Sequence, residues 1–447
     1  MNLLGETKLK KLSQLILSFS KADQTEVSIY TFDHALTRFA NSFIHQNVRY
    51  ENILVKVRTV ISKRIGVASI NSIEVSDLHE VVRRAVKIAR LSREDPDFIS
   101  LPKASLIRKI SSFFQSTINF GSIDRAKAVK TVIETAKRSK LTASGAYEII
   151  ISELSIANNL GVWAYQPTTS ASFSTVVSGE NSSGFALELN FDARKIHPEE
   201  VAKRAVDKAK MGEDPIAILP GEYDVILEPP AVAEMMDFFS YLGPNARVFY
   251  EQASYLRDKL GKRVFSPKLT IFDDPLDERG MPMAFDYEGV PKQKTILIEK
   301  GVAKTIVYDS YYANKYKKKN TGHALPAPNT EGPMPGHLVF TPGKKTTQEL
   351  IKTVKKGILV SRFWYVRMLH HYQMNITGMT RDGTFLIEEG KITSSLKNLR
   401  FTQSIPEVLK NIEGISKDLT LQPSWVGAGL FPTIFVGKFH FTSTTEF

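Results

Sequence analysis

One passage of this chain occurs twice. Glu80-Val-Val-Arg-Arg-Ala-Val-Lys-Ile-Ala-Arg90 returns as Glu200-Val-Ala-Lys-Arg-Ala-Val-Asp-Lys-Ala-Lys210. Its flanks return with it: Phe39-Ala-Asn-Ser42 as Ile156-Ala-Asn-Asn159, Glu94-Asp-Pro96 as Glu213-Asp-Pro215, and Leu101-Pro102 as Leu219-Pro220. The offset stays at about 117 to 120 residues. Two unrelated amphipathic helices can share a composition by coincidence; shared Glu-Asp-Pro and Leu-Pro flanks at a nearly constant distance argue against it. The expectation is two copies of one unit, about 24–103 and 141–221, each made of strands, one helix and an extended exit. Such units bury their apolar faces by joining or packing their sheets, each covered by its own helix.

Local patterns fill in the first domain, residues 1–221. Leu9, Leu12, Leu15, Ile16 and Phe19 form one face of a helix over 6–20, with lysines on the other. Strands are predicted at 25–32 and around 39–46. Ile53, Val55, Val57, Thr59 and Ile61 alternate as in a half-buried strand. Ser76-Asp77 is placed as the cap of a helix carrying Leu78, Val81, Val82, Ala85, Ile88 and Ala89. A linking helix over 123–138 presents Ile123, Ala126, Val129, Ile133 and Ala136 on one side.

After Pro220-Gly221 the pattern turns strand-rich, and a second, β-rich domain is expected over 222–447. A strand at 223–228 runs into Pro229-Pro230 and a helix with Val232, Met235, Met236, Phe239 and Leu242 at three- and four-residue spacing. A further helix is predicted over 247–262, a strand at 268–272, and a hairpin of 295–299 with 302–308. Helix 347–356, strand 358–368, a hairpin over 384–392 turning at Gly390, and a last strand at 433–441 complete it. Phe363 and Tyr365 are expected on one face of their strand and Trp364 on the other. The Gly/Pro/Asn-rich segment 315–342 is too long for an ordinary turn and reads as a crossing loop or a mobile flap. The fold class is α+β (mixed α/β).

Three passages in this order resemble the TldD/PmbA family: Ser266-Pro-Lys-Leu-Thr-Ile-Phe-Asp-Asp274, Phe285-Asp-Tyr-Glu-Gly-Val-Pro291, and Thr380-Arg-Asp-Gly-Thr-Phe-Leu-Ile-Glu-Glu-Gly-Lys-Ile392. The resemblance covers nearly the whole chain. Members of that family are long named as modulators of DNA gyrase and now read as peptide-processing proteins. Its TldD branch carries His-Glu-x-x-x-His on the helix after the first strand, where two imidazoles hold zinc and the glutamate can act as general base. With Glu234 in the glutamate's place, the two histidine positions fall on Ala233 and Phe238, and neither can bind a metal. The TldD branch also uses a cysteine near its C-terminus, and this chain has none. The resemblance therefore implies the other branch, TldE/PmbA: no zinc in this chain, zinc on a TldD-like partner, and joint action on short or unfolded peptides. Separately, Phe363-Trp-Tyr365, Tyr308 with Tyr311-Tyr312, and Trp425 with Phe431 need cover beyond a single core layer. Either the second domain is two-layered and covers both faces itself or the chain is a homodimer when alone, and the homodimer is the expectation.

Other candidate chemistry has competing readings. Asp273-Asp274, Asp286 and Glu288 could hold a hard cation, and Asp286 and Glu288 could contact a peptide; beside Pro275 and Gly289 all four also suit capping and turn formation. Arg381-Asp382-Gly383 reads as a turn with a local ion pair, or as a site for a peptide carboxylate. His323, His337, His370 and His371 lack the helical spacing of a zinc site, and neighbours on an extended run point to opposite faces. No phosphate-binding glycine loop and no nucleophile elbow is present.

Net charge is +12, but it is spread over 447 residues, and no nucleic-acid motif accompanies it, so specific nucleic-acid binding is not expected. The absence of cysteine, of an apolar leader and of any apolar run near about 18 residues points to a cytoplasmic chain with no membrane span. Two rival functions stay open: a self-sufficient hydrolase with an unrecognised site, and a nucleic-acid-associated regulator.

Overall fold

The computed structural model describes residues 3–445. Helix α1 (Glu6–Phe19) leads into strands β1 (Gln24–Ala40), β2 (Phe43–Ile61) and β3 (Arg64–Ile70), then helix α2 (Val75–Leu91). Helices α3 (Gln115–Ile118) and α4 (Ser122–Arg138) bridge to β4 (Thr142–Asn158), β5 (Trp163–Ser178), β6 (Ser183–Asn190) and α5 (Pro198–Met211). All six strands form one antiparallel sheet, ordered β3-β2-β1-β4-β5-β6. β1 and β4 meet at its centre, paired from Glu26 with Asn158 to Phe39 with Gly145. The sequence repeat is thus a repeat of three strands and a helix on either side of one seam.

The helices cover one face of this sheet. Leu9 and Ile16 of α1 and Leu78, Val81 and Ala85 of α2 pack on Val27, Ile29, Val55 and Val57. Val201, Ala205 and Ala209 of α5 pack with Phe173, Val177 and Ala186. In both units the helix lies directly on a glycine of the third strand. A Cβ on Gly66 would stand 2.1 Å from the Ala85 carbonyl oxygen, and one on Gly184 would stand 2.1 Å from that of Ala205.

Two predictions here are corrected. The segment 39–46 is not a separate strand but a hairpin end, because Asn41 and Ser42 both take positive φ, as a tight two-residue turn requires. Ser76 and Asp77 lie inside α2 rather than capping it; the helix starts at Val75 after Glu74, with no side-chain cap.

From Gly221 onward come β7 (Gly221–Leu227), α6 (Pro229–Leu242), α7 (Ala246–Tyr250), β8 (Ile271–Asp273), β9 (Thr295–Glu299), β10 (Val302–Ala303), α8 (Ser310–Lys315), β11 (Leu338–Phe340) and α9 (Thr347–Ile351). The strands β12 (Lys356–His370), β13 (Asn375–Glu388), β14 (Lys391–Ser395), β15 (Leu399–Ser404), β16 (Ile412–Ser424) and β17 (Gly427–Thr444) follow. β7 pairs with β12 on one side and β17 on the other, so β7, β12, β13, β15 and β17 close into a ring. α6 packs against β12, β16 and β17, and its Val232, Met236 and Phe239 share a core with Phe363, Phe401 and Phe439.

The helix predicted over 247–262 is only α7. Gln252, Asp258 and Gly261 all take positive φ, and buried Ser254 turns back to donate to the Gly243 carbonyl at 2.8 Å. α9 begins with a Thr346/Glu349 capping box but stops at Ile351, and Lys356 already belongs to β12. Tyr365 does not share a face with Phe363. Its φ of 55° breaks the alternation at a register shift, leaving Phe363 buried and Tyr365 62% exposed. The segment 315–342 is a structured crossing loop: Ala324 N–H donates to Asp286, His337 N–H to Asp273, and the Asn245 amide to the Glu331 carbonyl. Among the described residues no helix is long and apolar enough to cross a membrane.

Candidate functional site

Pro229 and Pro230 open α6 at positions where no backbone N–H is needed. The helix then runs buried on nearly every side. Ala233 and Phe238 are both inside, and the Phe238 ring meets Trp425 edge-on at 4.9 Å. A methyl group and a phenyl ring offer no lone pair, so these residues do not fit a zinc ion. Among the described residues no group of three or more His, Asp or Glu side chains could hold a metal ion.

Two carboxyls on this helix are perturbed. Burial, reinforced by Asp237, pushes Glu234 up to about 7 against the pull of Arg362 and Arg367. Burial also pushes Asp237 up to about 6, although it accepts the Trp425 N–H at 3.2 Å. Trp425 thereby ties α6 to the turn between β16 and β17.

Beside Trp425 a cleft of about 580 Å³ opens between the two sheets. Its floor is the helix-free face of the N-terminal sheet, with Tyr30, Ser152, Thr168 and Ser170. Its roof is Met281, Met283, Phe285 and Tyr287 with Val426. The roof is fixed to the floor through Gln166, whose side chain accepts from Ala284 N–H at 2.9 Å and donates to the Pro282 carbonyl at 3.2 Å. His337 borders the cleft as a neutral ring: burial first, then Lys292, holds it down at about 3. Behind it Asp273 accepts His337 N–H at 2.7 Å and the His323 ring at 2.8 Å. Burial works to raise Asp273, but His323 holds it well below the usual carboxylate range. Burial works to lower His323 against the pull of Asp273, and the pair is sealed from solvent.

The acids proposed as peptide contacts do other work. Asp286 is wholly buried and accepts three backbone N–H groups, from Glu288, Val290 and Ala324, each at 2.9 Å. It holds the 285–291 loop closed and cannot reach a peptide. Glu288 bonds Arg58 at 3.0 Å and takes the Ser310 N–H, while Arg58 also bonds Glu26 at 2.6 Å. Arg58, Glu288 and Asp309 border a second cavity of about 420 Å³. Burial, reinforced by Glu288, pushes Asp286 and Asp309 each up to about 7. Asp382 is buried, pairs with Arg362, and accepts from the Ser183 hydroxyl at 2.6 Å, joining the two sheets. Arg381 is half exposed with its guanidinium over Trp364. Of the four, only Arg381 is open to solvent, and its Nε lies 4.0 Å from the Asp382 carboxylate. His370 and His371 are exposed at a turn, remote in role from His323 and His337.

Sequence reasoning did not single out Glu26, Arg58, Asp237 or Asp309. Arg58 left a signal, as a charge between the inward residues Val57 and Thr59. The partner carboxylate of Glu288, 230 residues away, left none.

This architecture has relatives. Residues 220–443 match the PmbA/TldA metallopeptidase C-terminal domain and 118–212 its central domain. A metalloprotease of Methanocaldococcus jannaschii is 23% identical over 394 residues, 83% of this chain and 85% of that protein. A metalloprotease PmbA homolog of Buchnera aphidicola subsp. Baizongia pistaciae is 23% identical across 80% of each chain. Other matches are shorter: the chain spans 63% of another M. jannaschii protein and 50% of a metalloprotease of Methanothermobacter thermautotrophicus. Among solved structures, TldE from Thermococcus kodakarensis superposes with a TM-score of 0.89 at 22% identity, covering 97% of this chain and 99% of that one. With the C-terminal model alone matched across half the chain and the central-domain model adjoining it, this chain belongs to the PmbA/TldD metallopeptidase family.

Proposed function

We propose that this chain is the TldE/PmbA-like, non-zinc subunit of a two-component cytoplasmic peptidase, paired with a zinc-bearing TldD-like subunit that acts on short or unfolded peptides. One observation carries the reading. On α6, where the zinc branch of the family places its imidazoles, this chain has Ala233 and Phe238, and Phe238 is packed against Trp425. The helix contributes packing where its counterpart contributes ligands.

What the chain offers instead is a wall and an interface. The cleft beside Trp425, about 580 Å³ and lined by rings, methionines and hydroxyls, falls in the size range of ligand-binding clefts. Beyond Val360, β12 has no β7 partner, and that half of the strand exposes Trp364, Tyr365 and Leu369, with Tyr372 just past its end. An apolar patch of this kind beside an open strand edge suits a subunit contact.

The test is metal content and peptidase activity of the purified chain, with and without a His-Glu-x-x-x-His homologue. The expected result is no stoichiometric zinc and no cleavage alone, with cleavage appearing on mixing. About one zinc per chain surviving dialysis, with chelator-sensitive peptidase activity in the lone chain, would overturn the proposal.

A further inference from the structure

We propose that the cleft between the sheets selects uncharged peptide segments with bulky apolar side chains; this rests on the reading of the chain as one wall of a peptide chamber. Charged residues make up 24% of the chain, which carries a net +12, yet among the described residues no Asp, Glu, Lys or Arg lines this cleft. The second cavity shows that this is not how the protein builds every concavity. There Arg58, Asp95, Arg247, Glu288 and Asp309 all face the space.

The polar groups of the cleft are neutral, and Gln166 is already engaged. Its amide is used on both sides by the roof backbone. His337, the one imidazole there, is held uncharged by burial and by Lys292 behind it. The hydroxyls of Tyr30, Ser152, Thr168 and Ser170 can donate to or accept from a peptide backbone, which every peptide supplies. The side-chain contacts come from Met281, Met283, Tyr287, Ile150, Leu154 and Trp425, with buried Phe285 packed beneath them. Methionines adapt to apolar groups of different shape, and the aromatic rings give large contact area. A lysine or glutamate entering the same space would lose water and find no counter-ion. Discrimination therefore falls on side-chain charge rather than on one particular apolar residue.

The experiment is calorimetric titration of the full chain, alone and with its zinc-bearing partner, by N-acetylated, C-amidated tetrapeptides of equal length. One peptide has Leu and Phe at its centre; two others have Glu or Lys there. The apolar peptide is expected to bind at least about tenfold tighter than either charged one. Ser170→Asp places a carboxylate on the cleft floor at a position with no structural hydrogen bond, and should reverse the order in favour of the lysine peptide. Equal affinity for all three wild-type titrations would overturn the selectivity while leaving the peptide chamber standing. An apolar preference untouched in folded Ser170→Asp would place the selectivity elsewhere and overturn the assignment to this cleft. Binding of no peptide in either setting would sink the chamber reading and this inference together. Should Ser170→Asp not fold, the wild-type comparison still decides.

Discussion

Gly66→Ala and Gly184→Ala test the two-unit architecture at equivalent points. The added methyl at Gly66 would lie 2.1 Å from Ala85 O and 2.3 Å from Ala89 N; at Gly184 it would lie 2.1 Å from Ala205 O and 2.7 Å from Ala209 N. Ordinary contact begins at 3.4 Å, so each helix must retreat by roughly 1.3 Å. The obstruction is helix backbone, which no rotamer change can relieve. The retreat also loosens Val81, Val82 and Ala85 from Val55 and Val57 in the first unit, and Val201 and Ala205 from Phe173 and Ala186 in the second. Overpacking of a well-packed site costs about 1–3 kcal/mol, and the upper end, about 3 kcal/mol, is expected for each. The two sites share no partners, so the double variant should lose the sum, about 6 kcal/mol. Urea unfolding followed by circular dichroism measures the loss, and native-state hydrogen exchange should show α2 loosened in one variant and α5 in the other. Gly121→Ala, whose methyl would meet only the Asp124 carboxylate at 3.7 Å, is the control and should cost less than about 1 kcal/mol. A loss under about 0.5 kcal/mol at either glycine, or a large loss at only one, would refute the claim that both helices are seated the same way.

Three more outcomes are expected. Glu234 is pushed up to about 7 in the fold from its ordinary 4.5, so the unfolded state releases its proton first and stability falls between about pH 4.5 and 7, then levels off; Glu234→Gln should flatten that slope and stabilise the chain at pH 8 by about 3 kcal/mol, read from urea midpoints across pH. Arg58→Met leaves Glu26 and Glu288 buried without their cation and should cost about 3–5 kcal/mol, a loss that adding Glu26→Gln and Glu288→Gln largely restores; no restoration would mean that packing rather than charge is at stake. Tyr365→Asp keeps a residue tolerant of positive φ while placing a charge on the exposed patch, so sedimentation over a dilution series should show the expected homodimer dissociating at least about tenfold more readily than that of the wild type, with a matching loss of activation on mixing with the proposed zinc-bearing subunit; unchanged association would remove β12 from the proposed interface.

The parts of the fold that the sequence made legible are those whose cause is local or repeated. Alternation in 53–61 marked β2, and the spacing of Val232, Met235, Met236 and Phe239 marked α6, because burial on one face imposes a period. The repeat at an offset near 120 residues foretold two equivalent units. It even contained Gly66 and Gly184, at the same offset, although glycines in a strand give no sign of what rests on them. The seam between β1 and β4 and the closure of β7 on β17 were not legible, since pairing partners more than a hundred residues apart leave no pattern in either strand alone. The turn at Asn41-Ser42 was misread because two strongly β-forming flanks hid a two-residue turn in which neither residue is glycine.

The site divides in the same way, and the loop 285–291 shows why. Phe285 and Tyr287 face the cleft, Asp286 points inward to close the loop, and Glu288 turns toward Arg58 and the second cavity. Residues with an obvious chemical signature, Asp286 and Glu288, were therefore the natural suspects for binding, yet a wholly buried carboxylate with three N–H partners is a fastener. The cleft is lined by side chains that carry no signature at all: methionines, hydroxyls and a neutral imidazole contributed by segments from Tyr30 to Gly427. Only α6 could be read for function directly, because a metal motif is local and the absence of imidazoles at Ala233 and Phe238 is as visible as their presence would be. With the acids of the 285–291 loop committed to fastening the fold, and the cleft between the sheets lined by uncharged side chains, the peptide-receiving role proposed above rests on the cleft and not on those acids.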